Sequence, residues 1–419
     1  MTADRLSSGR RAAQGGAPAP EDGRHYAFEN VPGPVAIDAG DRFLAVLDRA
    51  APTWPRQVAS GKAQWLIRVR QDEDIYRIET SWTERHVLKR SAVSAVCAFL
   101  VDLVYASLDR CGLLGLHCAA VEIGGGLIVF PSTYRTGKTT LVAALAASGV
   151  RVHADDLMPL TQDGEGVALG INPRLRLPLP ENAPPWLQAF VALHRGPSDG
   201  RYQYLDLPAP LLAPYGLRKP IRAIVALRRG APGETRLLPL AASDGARHLI
   251  LQHFKRDGDS PKALDRLLAI VGPVPSYGLD YDDLGDAVRL LKQTFAAGSP
   301  VPAALSGAAT PAAPESSGLT APRGQMPAGR FRRRHGLALQ SLGAAAFLAA
   351  PDRGGIFELN PVGLAVWEVL AGPASPREIA GLLAEAFPAA SPSEIRRDVT
   401  DLMRRMWAAG LLEQAAAKR

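Results

Sequence analysis

A continuous apolar strand running into a polar loop and then a helix narrows the folds open to this chain more than any other feature. Gly126-Leu-Ile-Val-Phe130 is the strand, Pro131-Ser-Thr-Tyr-Arg-Thr-Gly-Lys-Thr-Thr140 the loop, and Leu141 to Ser148 the helix. A loop in that position aims backbone N–H groups and the positive end of a helix at one point, which suits a phosphate anion. From Leu116 onward the order strand, loop, helix, strand is that of an α/β nucleotide-binding unit. Lys138 is then placed to meet the outer phosphates, and the Thr139 hydroxyl to ligate Mg²⁺. Ser132, Arg135, Thr136, Gly137 and Thr140 complete the candidate nucleotide loop. A full Walker A motif has Gly where this chain has Ser132. A lone G-K-T also fits a Thr-capped surface helix with an ordinary lysine, but the order of the elements favours the phosphate.

Val150-Arg-Val-His-Ala-Asp-Asp-Leu157 supplies a second feature, a short apolar strand ending in paired carboxylates. Beside a phosphate loop two adjacent acids divide the work. One holds Mg²⁺, directly or through water, and the other takes the proton from an attacking hydroxyl. An isolated Asp-Asp pair reads as a plain acidic turn; proximity to Lys138 and Thr139 favours the catalytic reading.

His117, Gly137-Lys-Thr139 and Ala154-Asp-Asp156 resemble, in order and spacing, HPr kinase/phosphorylase and its relatives. The likeness covers residues 85–295 and is specific from Leu116 to Leu160. It implies a P-loop domain of the HPr kinase C-terminal and PEP carboxykinase-like fold that uses ATP and Mg²⁺. By the same likeness Asp155 and Asp156 supply the catalytic carboxylate, Asp156 with Thr139 the metal contact, and His117 the proton relay. Asn172-Pro-Arg-Leu-Arg-Leu-Pro178 is similar to a P-x-L-R-L segment of the serine-kinase branch. That points to Arg176, and less firmly Arg174, as a phosphate or transition-state contact. The family loop reads G-x-S-G-x-G-K-S/T, and Ser132, Tyr134 and Arg135 stand at its first Gly, its Ser and its second Gly. Glycine permits positive φ and a close approach to phosphate, so Arg135 either narrows the loop or adds a cation to it. No segment matches the part of classical HPr kinases that binds HPr, so HPr is not the expected substrate. Related kinases assemble as oligomers, and a homo-oligomer is expected on that ground alone.

A length of 419 residues suggests two or three domains. Residues 1–25 carry too few large apolar residues to bury and are expected to be disordered. Residues 26–115 read as an N-terminal α+β part. Trp65 to Arg70 and Ile75 to Glu79 form a hairpin around a four-residue loop, and Ser91 to Leu108 forms an amphipathic helix. Residues 116–295 hold the phosphate-loop unit, closing on a helix from Asp282 to Phe295. Residues 296–329, rich in Ala, Pro, Gly, Ser and Thr, read as a flexible linker, and a small unit follows at 330–415. Cys97, Cys111 and Cys118 lack C-x-x-C spacing and read as free thiols. The net charge of +7 comes without a long basic run, so no nucleic-acid partner is expected. No stretch of eighteen or more uncharged apolar residues and no signal core appear, so no membrane span and a cytoplasmic location are expected.

In the last unit, Gly355 to Trp367 reads as a strand, a turn at Asn360-Pro361 and a helix with Val362, Val366, Val369 and Leu370 on its apolar face. Helical patterns follow at Pro376 to Phe387 and Ser393 to Ala409, giving a small α+β, winged-helix-like domain. The run L-N-x-x-G-x-x-x-W from Leu359, S-x-x-E-I-A from Ser375, D-V-x-x-L from Asp398 and G-L-L-E from Gly410 resembles PqqD and the recognition elements for ribosomally made, modified peptides. The resemblance implies that a precursor's leader peptide is captured as an added strand beside the small sheet and against the last helix. A DNA-binding winged helix has the same coarse elements, but Asp398 and Asp401 stand among the arginines of the last helix. Together the halves imply an ATP-dependent kinase that phosphorylates a hydroxyl, Ser above all, of a precursor held by its leader. The alternative is a nucleotide-binding but non-catalytic chaperone that presents the precursor to a separate peptide-modifying enzyme.

Overall fold

The computed structural model describes residues 24–59, 64–131, 136–230, 234–254, 260–296, 326–343, 345–349 and 356–415. Residues 1–23 of the expected disordered start and nearly all of the expected linker lie outside these residues, as do Ser132 and Arg135, while Arg24 and His25, expected to be disordered, open the first strand.

The N-terminal part is a sheet backed by two helices. Its strands β1 (Arg24–Phe28), β2 (Val35–Asp38), β3 (Arg56–Val58), β4 (Ile67–Asp72), β5 (Ile75–Thr80) and β6 (Thr83–Lys89) lie in the order β3-β1-β2-β4-β5-β6. The predicted hairpin is β4–β5, but its loop is shorter than expected. Asp72 pairs with Ile75, leaving Glu73 and Asp74, and Glu73 takes φ of 53°. Helix α1 (Gly40–Ala50) and helix α2 (Ala92–Cys111) cover the sheet. Ser91 caps α2 by accepting the Ser94 N–H at 3.0 Å. Helix α2 is long and apolar enough to cross a membrane. Here Val93, Val96, Phe99, Leu100, Leu103 and Val104 are buried, packed with Phe43 and Ile67.

The central part is built on a large mixed sheet. It contains β7 (Leu114–Leu116), β8 (Ala119–Ile123), β9 (Gly126–Phe130), β10 (Arg151–Ala154), β11 (Met158–Leu160) and β12 (Glu165–Val167). Strand β13 (Arg174–Arg176), helix α4 (Pro185–Leu193), β14 (Arg195–Ser198) and β15 (Tyr202–Leu205) form an annex, and the chain returns through the long β16 (Arg218–Arg229). Strand β17 (Arg236–Leu240), helix α5 (Ala242–Gln252), β18 (His253–Phe254), helix α6 (Ser260–Val271), β19 (Ser276–Tyr281) and helix α7 (Leu284–Thr294) complete it. The main path is β10-β8-β9-β16-β12-β11-β7-β18, with β19 beside β16 and β17 beside β19. Every residue of β9 is buried, as an uninterrupted apolar strand requires. Helix α3 (Lys138–Ala147) packs on one face with α7, and α5 and α6 lie over Leu116, Leu127 and Met158.

The C-terminal unit pairs β20 (Phe331–Arg333) with β24 (Leu412–Gln414), joining its two ends. Between them lie β21 (Ala338–Leu342), β22 (Ala345–Ala349), β23 (Ile356–Leu359) and helices α8 (Pro361–Val369), α9 (Pro376–Ala386) and α10 (Pro392–Ala408). Strands β21-β22-β23 form an antiparallel sheet. Asn360 caps α8, and Ser375 with Glu378 forms a full capping box on α9. The cap position of α10 is Ser391 rather than Ser393, and Val362 is exposed, off the apolar face assigned to it.

A tether alone was expected to join this unit to the rest, but the structure packs the two together. Strand β22 is buried along its whole length. Ala346 and Leu348 join the core of α8, α9 and α10, while Ala345, Phe347 and Ala349 join the core beneath α5 and α6. At the rim Arg247 of α5 ion-pairs with Glu358 of β23 and also reaches Asp244 at 2.9 Å.

Candidate active site

Strands β16 and β9, and β16 and β19, pair in parallel; β8 is antiparallel to both β9 and β10. The carboxyl ends of β10, β9, β16 and β19 therefore open on one edge of the sheet, where open α/β sheets bind ligands. Past the end of β9, Gly137 caps α3 with φ of 89°, a conformation a side chain resists. Lys138 and Thr139 form the first turn, and Thr136 and Thr140 flank them. Lys138 is only 8% exposed. Burial draws its pKa below the ordinary lysine value, with Asp156 and Asp155 pulling the other way.

The end of β10 brings the two predicted carboxylates beside α3, in different settings. Asp155 is buried, and its Oδ2 accepts the backbone N–H of Arg174 at 3.1 Å. The Thr139 hydroxyl lies near enough to draw the carboxyl down, yet Asp155 Oδ1 is buried without a well-formed hydrogen bond. Burial and then the neighbouring Asp156 charge push Asp155 up to about 6. The Asp156 side chain is 54% exposed, and its Oδ1 lies 3.2 Å from Nε2 of His117. His117 follows β7, and its backbone N–H donates to the Gln252 carbonyl at 2.7 Å. Burial lowers the His117 pKa, Asp156 raising it again in part, so the imidazole is neutral at pH 7.

The two candidate arginines of β13 lie differently with respect to the carboxylates. Arg174 lies beside the carboxylates, its guanidinium 4.3 Å from the Tyr202 ring centroid. Arg176 is exposed, and among the described residues no ion pair joins it to Asp155 or Asp156. Strand residues two apart share a face, so the sequence pattern does not separate them; the start of β13 against Asp155 does.

Behind the carboxylates opens a cavity of about 50 Å³. Cys97, Leu100 and Val101 of α2 form one wall, and Leu169, Ile171 and Tyr204 another, with Asp155, Asp156 and Arg174 at its rim. Burial pushes the Cys97 thiol up, and Arg174 opposes this. The part played by α2 was not read from the sequence, where its cysteine is one apolar residue among many.

Among the described residues no three His, Cys, Asp or Glu side chains converge as a metal cage. Mg²⁺ in phosphoryl-transfer sites takes one or two carboxylates, a hydroxyl and substrate phosphates, and keeps waters. Thr139, Asp156 and the orphaned Oδ1 of Asp155 are hard oxygen donors of that kind and fit the ion.

Residues 346–412 match the family described as coenzyme PQQ synthesis protein D, PqqD. Among solved structures the chain is similar to TbiB1 in complex with the TbiA(beta) leader peptide, at 22% identity over 20% of this chain and 99% of that one, with a TM-score of 0.19. It is also similar to the Hpr(Ser) kinase/phosphatase from Coxiella burnetii, at 11% identity over 43% of this chain and 91% of that one, with a TM-score of 0.22. No curated protein matches it. The chain carries a PqqD domain at its C-terminus.

Proposed function

We propose that this protein is an ATP-dependent, Mg²⁺-using kinase that phosphorylates a serine hydroxyl of a ribosomally made precursor, whose leader is held by the PqqD domain. One observation carries the reading. Lys138 and Thr139, at a helix start suited to phosphate, lie beside a buried and a solvent-facing carboxylate, and the buried one borders a small cavity.

Each residue has a task on this reading. Lys138 and the N–H groups at the start of α3 hold the outer phosphates. Thr139 and Asp156 hold Mg²⁺, which when bound neutralises charge on the phosphates. Asp155, with its carboxyl near 6, is ionised at neutral pH yet basic enough to take the acceptor's proton. Neutral His117 stands against Asp156, its Nε2 3.2 Å from Oδ1, and limits the orientations open to that carboxylate. The cavity of about 50 Å³ admits a hydroxymethyl group.

Strand β23, paired only with β22 among the described residues, offers an edge for an added leader strand. With the leader so held, the core peptide reaches the cavity at a raised effective concentration. The need for ATP and a nascent ribosomal peptide places the reaction in the cytoplasm.

The test is transfer of labelled phosphate from Mg-ATP to the precursor by the purified chain, compared with Lys138→Ala. Wild-type transfer that Lys138→Ala abolishes together with nucleotide affinity supports the reading. Nucleotide binding without transfer leaves a presenting chaperone in its place.

A further inference from the structure

The sheet edge that carries the carboxylates continues past the phosphate loop in the other direction. Counting across the strands, Asp155 and Asp156 follow β10 on one side of β9, and β16 and β19 lie on the other. Strand β16 ends at Arg229 and β19 at Tyr281, and these two residues are register partners. Both come close to the cap of α3. A Cβ at Gly137 would lie 3.4 Å from the Tyr281 hydroxyl and 3.6 Å from Cδ of Arg229.

Neither side chain is explained by the fold alone. Tyr281 is 1% exposed, and its hydroxyl is buried without a hydrogen-bond partner. A buried phenol left so costs stability unless something else satisfies it. Arg228, one residue before Arg229, pairs with Asp280 at 2.6 Å. Arg229 is exposed and among the described residues has no carboxylate; its one polar partner is Asn182 Oδ1 at 3.4 Å. A cation, an orphaned hydroxyl and a helix N-terminus thus converge on the glycine of the phosphate loop.

We infer that Arg229 and Tyr281 bind the non-transferred phosphates of the nucleotide, gripping them from the side of α3 opposite the carboxylates. This rests on the phosphate-loop reading above and extends it. The acids beyond β10 mark where transfer occurs, so the far flank meets the part of the nucleotide that ADP and ATP share. There Arg229 supplies a forked donor and Tyr281 an O–H donor. The nucleotide completes the hydrogen bonding that the fold leaves open.

The experiment is calorimetric titration of the full chain with Mg-ADP and Mg-ATP, for wild type, Arg229→Met, Arg229→Lys, Tyr281→Phe and Lys138→Ala. Arg229→Met is expected to weaken both nucleotides alike, by about tenfold or more, as loss of a hydrogen bond to a charged group does. Arg229→Lys restores part of the loss. Tyr281→Phe weakens both nucleotides while leaving the ligand-free melting temperature unchanged or higher, a pairing that a purely structural role does not give. Unchanged ADP affinity in Arg229→Met and Tyr281→Phe, with Lys138→Ala still binding poorly, overturns the inference and leaves the phosphate loop standing. A loss confined to ATP overturns it too, by placing Arg229 at the transferred phosphate. Unchanged binding in Lys138→Ala overturns the phosphate-loop reading itself, and this inference with it.

Discussion

Nε2 of His117 stands 3.2 Å from Oδ1 of Asp156, while Asp155, one residue earlier, has its Oδ2 held by the backbone N–H of Arg174. Two identical side chains at one strand end are thereby given unlike environments, one wet and paired, the other buried and partly unsatisfied. Environments that push neighbouring acids apart are how one site assigns unlike roles to them.

Transfer should rise with pH through about 6 as Asp155 ionises. Its pKa is raised on folding from 3.8, so its contribution to stability is full below that value and lost as pH rises through about 6. Asp155→Asn should therefore abolish transfer and, at pH 7.5, stabilise the ligand-free protein by about 1 to 3 kcal/mol. Denaturation profiles at pH 7.5 and 3.5 check this: the gain should vanish at the lower pH.

Asp156→Asn removes the carboxylate that raises the His117 pKa against its burial. The His117 imidazole should then titrate lower still, readable by NMR of the ring protons, and phosphate transfer should fall by at least about a hundredfold. An unmoved His117 titration would separate the pair.

Val101 lines the cavity from α2. Val101→Trp should fill it and raise KM for the precursor by about tenfold or more, with Mg-ATP affinity kept. Steady-state kinetics with either substrate varied distinguishes this from general damage.

Phe347 is 1% exposed and sits in the core shared with α5 and α6. Phe347→Ala should cost about 3 to 5 kcal/mol in chemical denaturation. It should also expose the central part to proteolysis, although the substitution lies in the PqqD domain.

The chemistry at the end of β10 was legible because it sits within forty residues of sequence, where spacing alone carries the pattern. Arg229 and Tyr281 were not, since only the parallel register of β9, β16 and β19 brings them to Gly137 from far along the chain. Arg174 and Arg176 are not told apart by sequence, because a strand repeats every two residues and hides which repeat meets a partner. The contact between the two halves did leave a trace. Ala345-Ala-Phe-Leu-Ala349 is apolar throughout, whereas a strand with one wet face alternates.

That unbroken run has a bearing on inheritance. A small domain joined to its neighbour only by a linker could be exchanged as a unit without disturbing either core. Here a transplanted domain would have to carry its own version of Ala345, Phe347 and Ala349, or leave a hollow against Leu264 and Leu267. If the domain holds a leader as proposed, changes of leader specificity should therefore accumulate by substitution along the unpaired edge of the sheet, while β22 and the helices beneath it change together.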